Sequence, residues 1–138
     1  MGALFTSKAT AKGGRRGHVK SDDGLIDLKL VMPTDNSGET GTNPEQLFAA
    51  GYSACFDGAL NLVAKNNKMD IESQTTAEVS FHKDEADGGF KISVKLTSEI
   101  SGVSQEEADE LMEKTHQVCP YSKATRGNID VELVAIVK

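Results

Sequence analysis

Tryptophan is absent from this chain of 138 residues, proline occurs three times and cysteine twice. No internal repeat or low-complexity segment is present. With 38% hydrophobic and 26% charged residues the composition is that of an ordinary globular domain, which excludes a disordered or fibrous protein. Positive charge is in deficit: 15 Lys and Arg stand against 21 Asp and Glu, for a formal net charge of -6. Nucleic acid is therefore not expected as a partner, because that binding draws on counterion release by Lys and Arg. The apolar patch of "MGALFTSKAT" is too short for a secretion signal. No segment approaches the roughly 20 apolar residues that span a bilayer, so no membrane partner and a cytoplasmic location are expected. The length suits a single domain, 1–138, able to bury a core without disulfide or metal staples. The two cysteines form no CxxC pair, which excludes a thioredoxin-type motif. In a reducing cytoplasm such thiols stay reduced or are oxidised as part of a cycle rather than persisting as a structural bridge.

What is present is a succession of periods. "ALFTSKATAK" alternates and runs into "GGRRG", a glycine-bounded hairpin turn. "HVKSDDGLIDLKLVM" supplies one or two more strands around its Asp-Asp-Gly turn, with Ile26, Leu28 and Leu30 on one face. The loop "PTDNSGETGT" breaks the pattern. Asn43 then suits an N-cap, Pro44 the first helical position and Glu45 the first turn, opening a long helix over 44–68. Leu47 through Ala54 are apolar nearly all round, as in a helix surrounded by protein. "TAEVSFHKDEADGGFKISVKLTSEI" reads as a hairpin, with Ala77, Val79 and Phe81 on one strand and Phe90, Ile92, Val94 and Leu96 on the next. "VSQEEADELMEKTHQVC" opens with a capping box, Ser104 to Glu107, and carries Ala108, Leu111, Met112, Thr115 and Cys119 at helical spacing. Pro120 limits continuation of that helix, "ATRGN" turns, and "IDVELVAIV" closes as a strand with Ile129, Val131, Leu133, Ala135 and Val137 on one face. Every sheet connection reads as antiparallel. The expected fold is α+β, with antiparallel sheets wrapped around a long buried central helix.

Cys55 lies in the apolar run "GYSACFDGAL", and Cys119 on the buried stripe of its helix. On position alone both are most simply packed thiols, since free cysteine is among the most buried residue types. Metal binding is poorly supported. His116 and Cys119 share a helix face, but a closed zinc site needs four ligands, and His18 and His82 fall in strands or turns without companion cysteines. The basic run "KGGRRGHVK" could hold an anion, although two arginines in a turn are more simply solvated.

Three stretches change the weighting: "GTNPEQLFAAGYSACFDGAL", "HQVCPYSKATRGNIDVEL" and "ATAKGGRRGHVKSDDGLIDLKL". Together they resemble the organic hydroperoxide resistance family, within the wider Ohr/OsmC superfamily shared with osmotically induced peroxidases. The resemblance runs from about residue 6 to the C-terminus without a long gap. It implies an Ohr/OsmC-like fold and a cysteine-based peroxidase that reduces organic and fatty-acid hydroperoxides to alcohols. No bound cofactor is implied; the reductant is a dithiol, a lipoylated protein or dihydrolipoamide. Carried onto this chain, Cys55 becomes the peroxidatic thiol and Cys119 the resolving one. Arg15 matches the family's activating arginine and Glu45, in "NPEQ", its partner carboxylate. Arg16 falls where the family varies, and Asp57 departs from the apolar or small residue commoner at that place.

These roles are physically coherent. Attack on a peroxide needs a thiolate, whereas an ordinary cysteine, with pKa about 8.5, is mostly protonated at pH 7. The dipole of Cys55's own helix cannot help, because its influence fades within the first turn, so a cation from another element is required. Arg15 can be that cation, always charged and able to bond sulfur and carboxylate together. A sulfenic acid on Cys55 would then condense with Cys119 to a disulfide, provided their Cα atoms approach within about 7 Å. Leu47, Phe48, Phe56 and Met112 would suit a lipid-like tail or simply fill the core. Glu45 and Cys55, ten residues apart on one helix, differ by about 15 Å along the axis and about 80° in facing, so one arginine would struggle to reach both. Two copies of the helix crossing antiparallel at Ala50, through Ala49, Gly51 and Ala54, would bring Glu45 of one chain level with Cys55 of the other. An intertwined homodimer is therefore expected, with Glu45 acting in trans. Two other readings remain: a cysteine-pair redox sensor without turnover, and a thioester-handling or lipid-binding domain. The last leaves Cys119 and the need for a cation unexplained.

Overall fold

The computed structural model describes residues 2–138, which fall into two compact units, the first ending at Leu47 and the second spanning Phe48–Lys138. The first unit is an antiparallel meander of β1 (Ala9–Lys12), β2 (His18–Ser21) and β3 (Asp27–Lys29), in that order. β1 is shorter than the alternation suggests because its partner β2 runs out at Ser21, which pairs with Ala9. The "GGRRG" turn is one 3-10 turn, Gly14–Arg16, entered through Gly13 at φ 82, a left-handed conformation that a side chain would strain. Gly17 closes it under the Lys12 carbonyl, where any Cβ would collide with backbone. Of the expected face, Leu30 alone is buried; Ile26 and Leu28 remain about two-fifths exposed, at 41% and 42%. Leu30 instead forms a parallel bridge with Thr42, which leads the chain into α1.

Helix α1, Pro44–Asn66, starts where the sequence places it: the Asn43 side chain accepts the Gln46 N–H at 2.8 Å. In the second unit, β4 (Glu72–Lys83) and β5 (Phe90–Ser101) form the expected hairpin, and the register sets Ala77 opposite Leu96, Val79 opposite Val94 and Phe81 opposite Ile92. β6 (Val131–Val137) adds beyond β5, in parallel. The expectation that every connection is antiparallel is thereby corrected. β5, α2 (Gln105–Val118) and β6 form a crossover unit, whose intervening helix carries the chain back to the end where β5 began. Side-chain alternation is the same in either direction, so periodicity carries no signal for it.

The capping box is present in full: Ser104 Oγ accepts the Glu107 N–H and Glu107 Oε1 accepts the Ser104 N–H, at 3.1 and 2.9 Å. Pro120 does not only stop α2. It also opens a six-residue helix, α3 (Pro120–Thr125), at whose first position its missing N–H costs nothing. Cys119 is thus the junction between two helices. The core gathers Tyr52, Phe56, Leu60, Val63 and Ala64 of α1, Val94, Leu96 and Ile100 of β5, Ala108, Leu111 and Met112 of α2, and Cys119. Each large aliphatic side chain buried there contributes about 1.5–3 kcal/mol.

By length and composition α1 could cross a bilayer, its best window averaging 1.3 in hydropathy, which corrects the expectation that no segment comes near that length. Its inward face is nevertheless committed to the core. Nor is the helix covered all round, since Ala50, Ala54, Gly58 and Leu62, spaced four apart, form an exposed stripe on the single chain.

Candidate functional site

The two cysteines, one on α1 and one at the α2–α3 junction, meet. The Cys119 thiol donates toward Cys55 Sγ at 3.4 Å, and both are free. Cys119 is fully buried and Cys55 half-buried, so of the two sulfurs Cys55 is the one that a reagent can reach. A second influence on it was invisible in the sequence: the backbone N–H of Tyr121, which lowers the Cys55 pKa. Pro120 has no N–H, which makes Tyr121 the first residue of α3 with an orphan donor.

Burial pushes the Cys55 thiol up from its ordinary range, the Tyr121 N–H pulls it down, and the adjacent Cys119 raises it again; the net direction is up. The sum of these influences disfavours the thiolate. A cation remains necessary for the peroxidatic role.

Arg15 and Glu45 are brought together within the first unit. The 3-10 turn presents Arg15 so that Nη1 and Nη2 donate to the two carboxylate oxygens of Glu45 at 2.7 and 3.0 Å, a bidentate pair. The Glu45 carboxylate raises the guanidinium further, and the bonds from Arg15 hold the Glu45 carboxyl below the ordinary carboxylate range. Among the described residues, neighbouring Arg16 makes only an exposed pair with Asp35, at 3.2 Å.

The second unit also holds a largely buried polar cluster that periodicity could not reveal. Tyr52 Oη bonds Ser122 Oγ at 2.7 Å and Thr125 Oγ1 at 3.0 Å, and His116 Nδ1 bonds Ser122 Oγ at 2.8 Å. Burial, together with the nearby Arg126 charge, lowers the His116 pKa, favouring the neutral ring. Asp57 points elsewhere: its carboxylate accepts from Ser73 Oγ and Thr75 Oγ1, both at 2.8 Å, tying α1 to β4. Of the apolar candidates, Phe56 and Met112 belong to the closed core. Phe48 pairs edge-on with Tyr52 and also meets the Tyr121 ring, which packs over Gly51 where any side chain would collide with it. The open groove of about 580 Å³ on β4, β5 and the approach to β6 includes neither cysteine.

The chain matches the family of OsmC-like proteins over residues 35–134. It is 58% identical to the organic hydroperoxide resistance protein OhrB of Bacillus subtilis over 95% of this chain and 97% of that one. To OhrA of the same organism it is 53% identical, covering 94% of each. The crystal structure of B. subtilis OhrB superposes with a TM-score of 0.93 at 57% identity, covering 96% of this chain and 99% of that one. An organic hydroperoxide resistance protein from Elizabethkingia anophelis superposes at 0.90 and 52% identity over 100% of both. The chain therefore belongs to the organic hydroperoxide resistance family of OsmC-like proteins.

Proposed function

We propose that the protein is a thiol peroxidase that reduces organic and fatty-acid hydroperoxides to alcohols. The observation that carries this reading is the 3.4 Å approach of a half-buried and a fully buried free thiol in a chain of this family. The Cys55 thiolate attacks a peroxide oxygen; an S–O bond forms as the O–O bond breaks, and the alcohol leaves with a proton, so that sulfur is oxidised to sulfenic acid and the peroxide reduced. Cys119 sulfur then attacks Cys55 sulfur, forming S–S and releasing the hydroxyl as water. A dithiol of the lipoyl type returns both thiols to the reduced state by exchange.

Arg15 supplies the cation that counters the burial and the second thiol raising Cys55, and Glu45 holds its fork in place. In this proposal the Arg15–Glu45 pair of one chain serves Cys55 of a second copy, in a homodimer whose α1 helices cross antiparallel. The exposed stripe of Ala50, Ala54 and Gly58 supports it, because small residues let two helices approach closely. The stripe differs from the expected set: Ala49 and Gly51 are partly buried, Gly51 beneath Tyr121, and Gly58 joins Ala50 and Ala54.

The test is steady-state reduction of cumene and linoleic hydroperoxides with dihydrolipoamide or thioredoxin as reductant. Turnover with dihydrolipoamide, abolished in Cys55→Ser, is expected. Stoichiometric oxidation without turnover would replace the peroxidase by the redox-sensor reading.

A further inference from the structure

Cys119, buried in the core, stands at the junction of two helices. It caps α2 at φ -59, ψ 124 and simultaneously precedes α3, a helix of six residues. So short a helix has no independent stability in water. Its place relative to α1, and therefore the distance from Cys119 to Cys55, must be set by tertiary contacts. The polar ones converge on one hydroxyl. Tyr52 stands on α1 three residues before Cys55, is fully buried, and bonds only to hydroxyls of α3.

One ordering of protons satisfies every contact in the cluster. Thr125 donates to the Ser122 carbonyl at 3.3 Å and accepts from Tyr52; Tyr52 accepts from Ser122; Ser122 accepts from His116 Nδ1. Arg126, which follows α3, donates to the His116 carbonyl at 2.6 Å and ties α3 back to α2. No buried side-chain nitrogen or oxygen is left without a partner among the described residues. A phenylalanine at position 52 would fill the same space without the cost of burying a hydroxyl. The hydroxyl therefore specifies geometry, since fully satisfied buried networks select one arrangement over its alternatives.

We propose that Tyr52, Ser122, Thr125 and His116 are positioning residues that fix the α3 turn against α1 and so set how readily Cys119 closes a disulfide on Cys55. As a statement about catalysis this rests on the peroxidase reading; as a statement about the thiol pair it stands without it. The same turn carries Tyr121, whose backbone N–H lowers the Cys55 pKa, so one network places both the second thiol and that N–H.

The test uses the full-length protein. The equilibrium between the dithiol and disulfide forms is measured in buffers of reduced and oxidised glutathione, giving the effective concentration of Cys119 toward Cys55. Closure after one equivalent of cumene hydroperoxide is followed by stopped flow. In Tyr52→Phe, effective concentration and closure rate are expected to fall about tenfold, the equivalent of one buried hydrogen bond. Thr125→Val is expected to follow, whereas Thr125→Ser, which keeps the hydroxyl, retains both values. Ile100→Val, a truncation in the same core but on β5, is expected to change neither while lowering thermal stability to a similar degree. Values within twofold of wild type in Tyr52→Phe, equal losses in Ile100→Val, or failure of Thr125→Ser to rescue would each overturn the assignment. If peroxide were not turned over but effective concentration still fell in Tyr52→Phe, the peroxidase reading would fail and the positioning role would stand.

Discussion

At the scale of single residues, reactivity at Cys55 is a balance of opposed terms. Burial and the Cys119 thiol raise its pKa, the Tyr121 N–H lowers it, and the sum lies on the protonated side. On the proposed mechanism Arg15 reverses that sum. Arg15→Ala is expected to slow the peroxide step about 10²-fold, the usual loss on removing one donor from developing charge. Arg16→Ala, whose only described ion pair is the exposed one with Asp35, should stay within twofold. Pre-steady-state rates with cumene hydroperoxide decide; equal losses in the two variants contradict the assignment. Glu45 gives a second, pH-dependent outcome. Its folded-state pKa is depressed by Arg15, so the pair contributes stability fully present above the ordinary glutamate range and lost as pH falls through the lowered value. Glu45→Gln is therefore expected to be less stable than wild type in urea at pH 7, with the gap narrowing below about pH 4. A gap independent of pH would show that the carboxylate does not carry the contribution.

At the scale of elements, the signals with local causes were legible. Asn43, Pro44 and Glu45 start α1, Ser104 and Glu107 start α2, and the alternation of Ala77, Val79, Ile92, Val94 and Leu96 gives the β4–β5 hairpin register. Ser104→Ala removes one half of the box and is expected to cost about 1 kcal/mol in urea denaturation, with an unchanged m-value. A loss under ~0.3 kcal/mol would mean that α2 is held by packing alone. What the sequence did not disclose has non-local causes. The parallel entry of β6 depends on where a crossover delivers the chain, which alternation does not encode. α3 is too short to show a helical period, and behind a proline it read as a stop. The Tyr52 cluster joins residues some seventy positions apart, and a lone tyrosine in an apolar run gives no sign of which hydroxyls it will meet. The four residues assigned to the site came through the family resemblance, whereas Tyr121 escaped because its contribution is a backbone N–H that any residue but proline supplies.

At the scale of the whole molecule, the exposed Ala50, Ala54, Gly58 and Leu62 stripe leaves an apolar helix face that a second copy would cover. Sedimentation at micromolar concentration is expected to show a dimer. Co-refolding Cys55→Ser chains with Glu45→Ala chains should restore activity, because sharing across the two-fold axis places both lesions in one site of the heterodimer and leaves the other intact. A fully active monomer, or no recovery in a verified heterodimer, would remove the trans arrangement while leaving the cysteine chemistry untouched.

That chemistry is the central claim, and a single titration reads it most directly. Reduced wild-type protein and Cys119→Ser are each given one equivalent of cumene hydroperoxide, then analysed for remaining thiols and by intact and peptide mass spectrometry. Wild type is expected to lose both thiols and form a Cys55–Cys119 disulfide, with one equivalent of cumyl alcohol released and the protein two hydrogens lighter. Cys119→Ser is expected to stop at a trappable sulfenic acid on Cys55 and, with excess peroxide, to proceed to the sulfinic acid. Alcohol release from wild type with both thiols intact, or a Cys119→Ser protein that cycles normally with dihydrolipoamide, would contradict it.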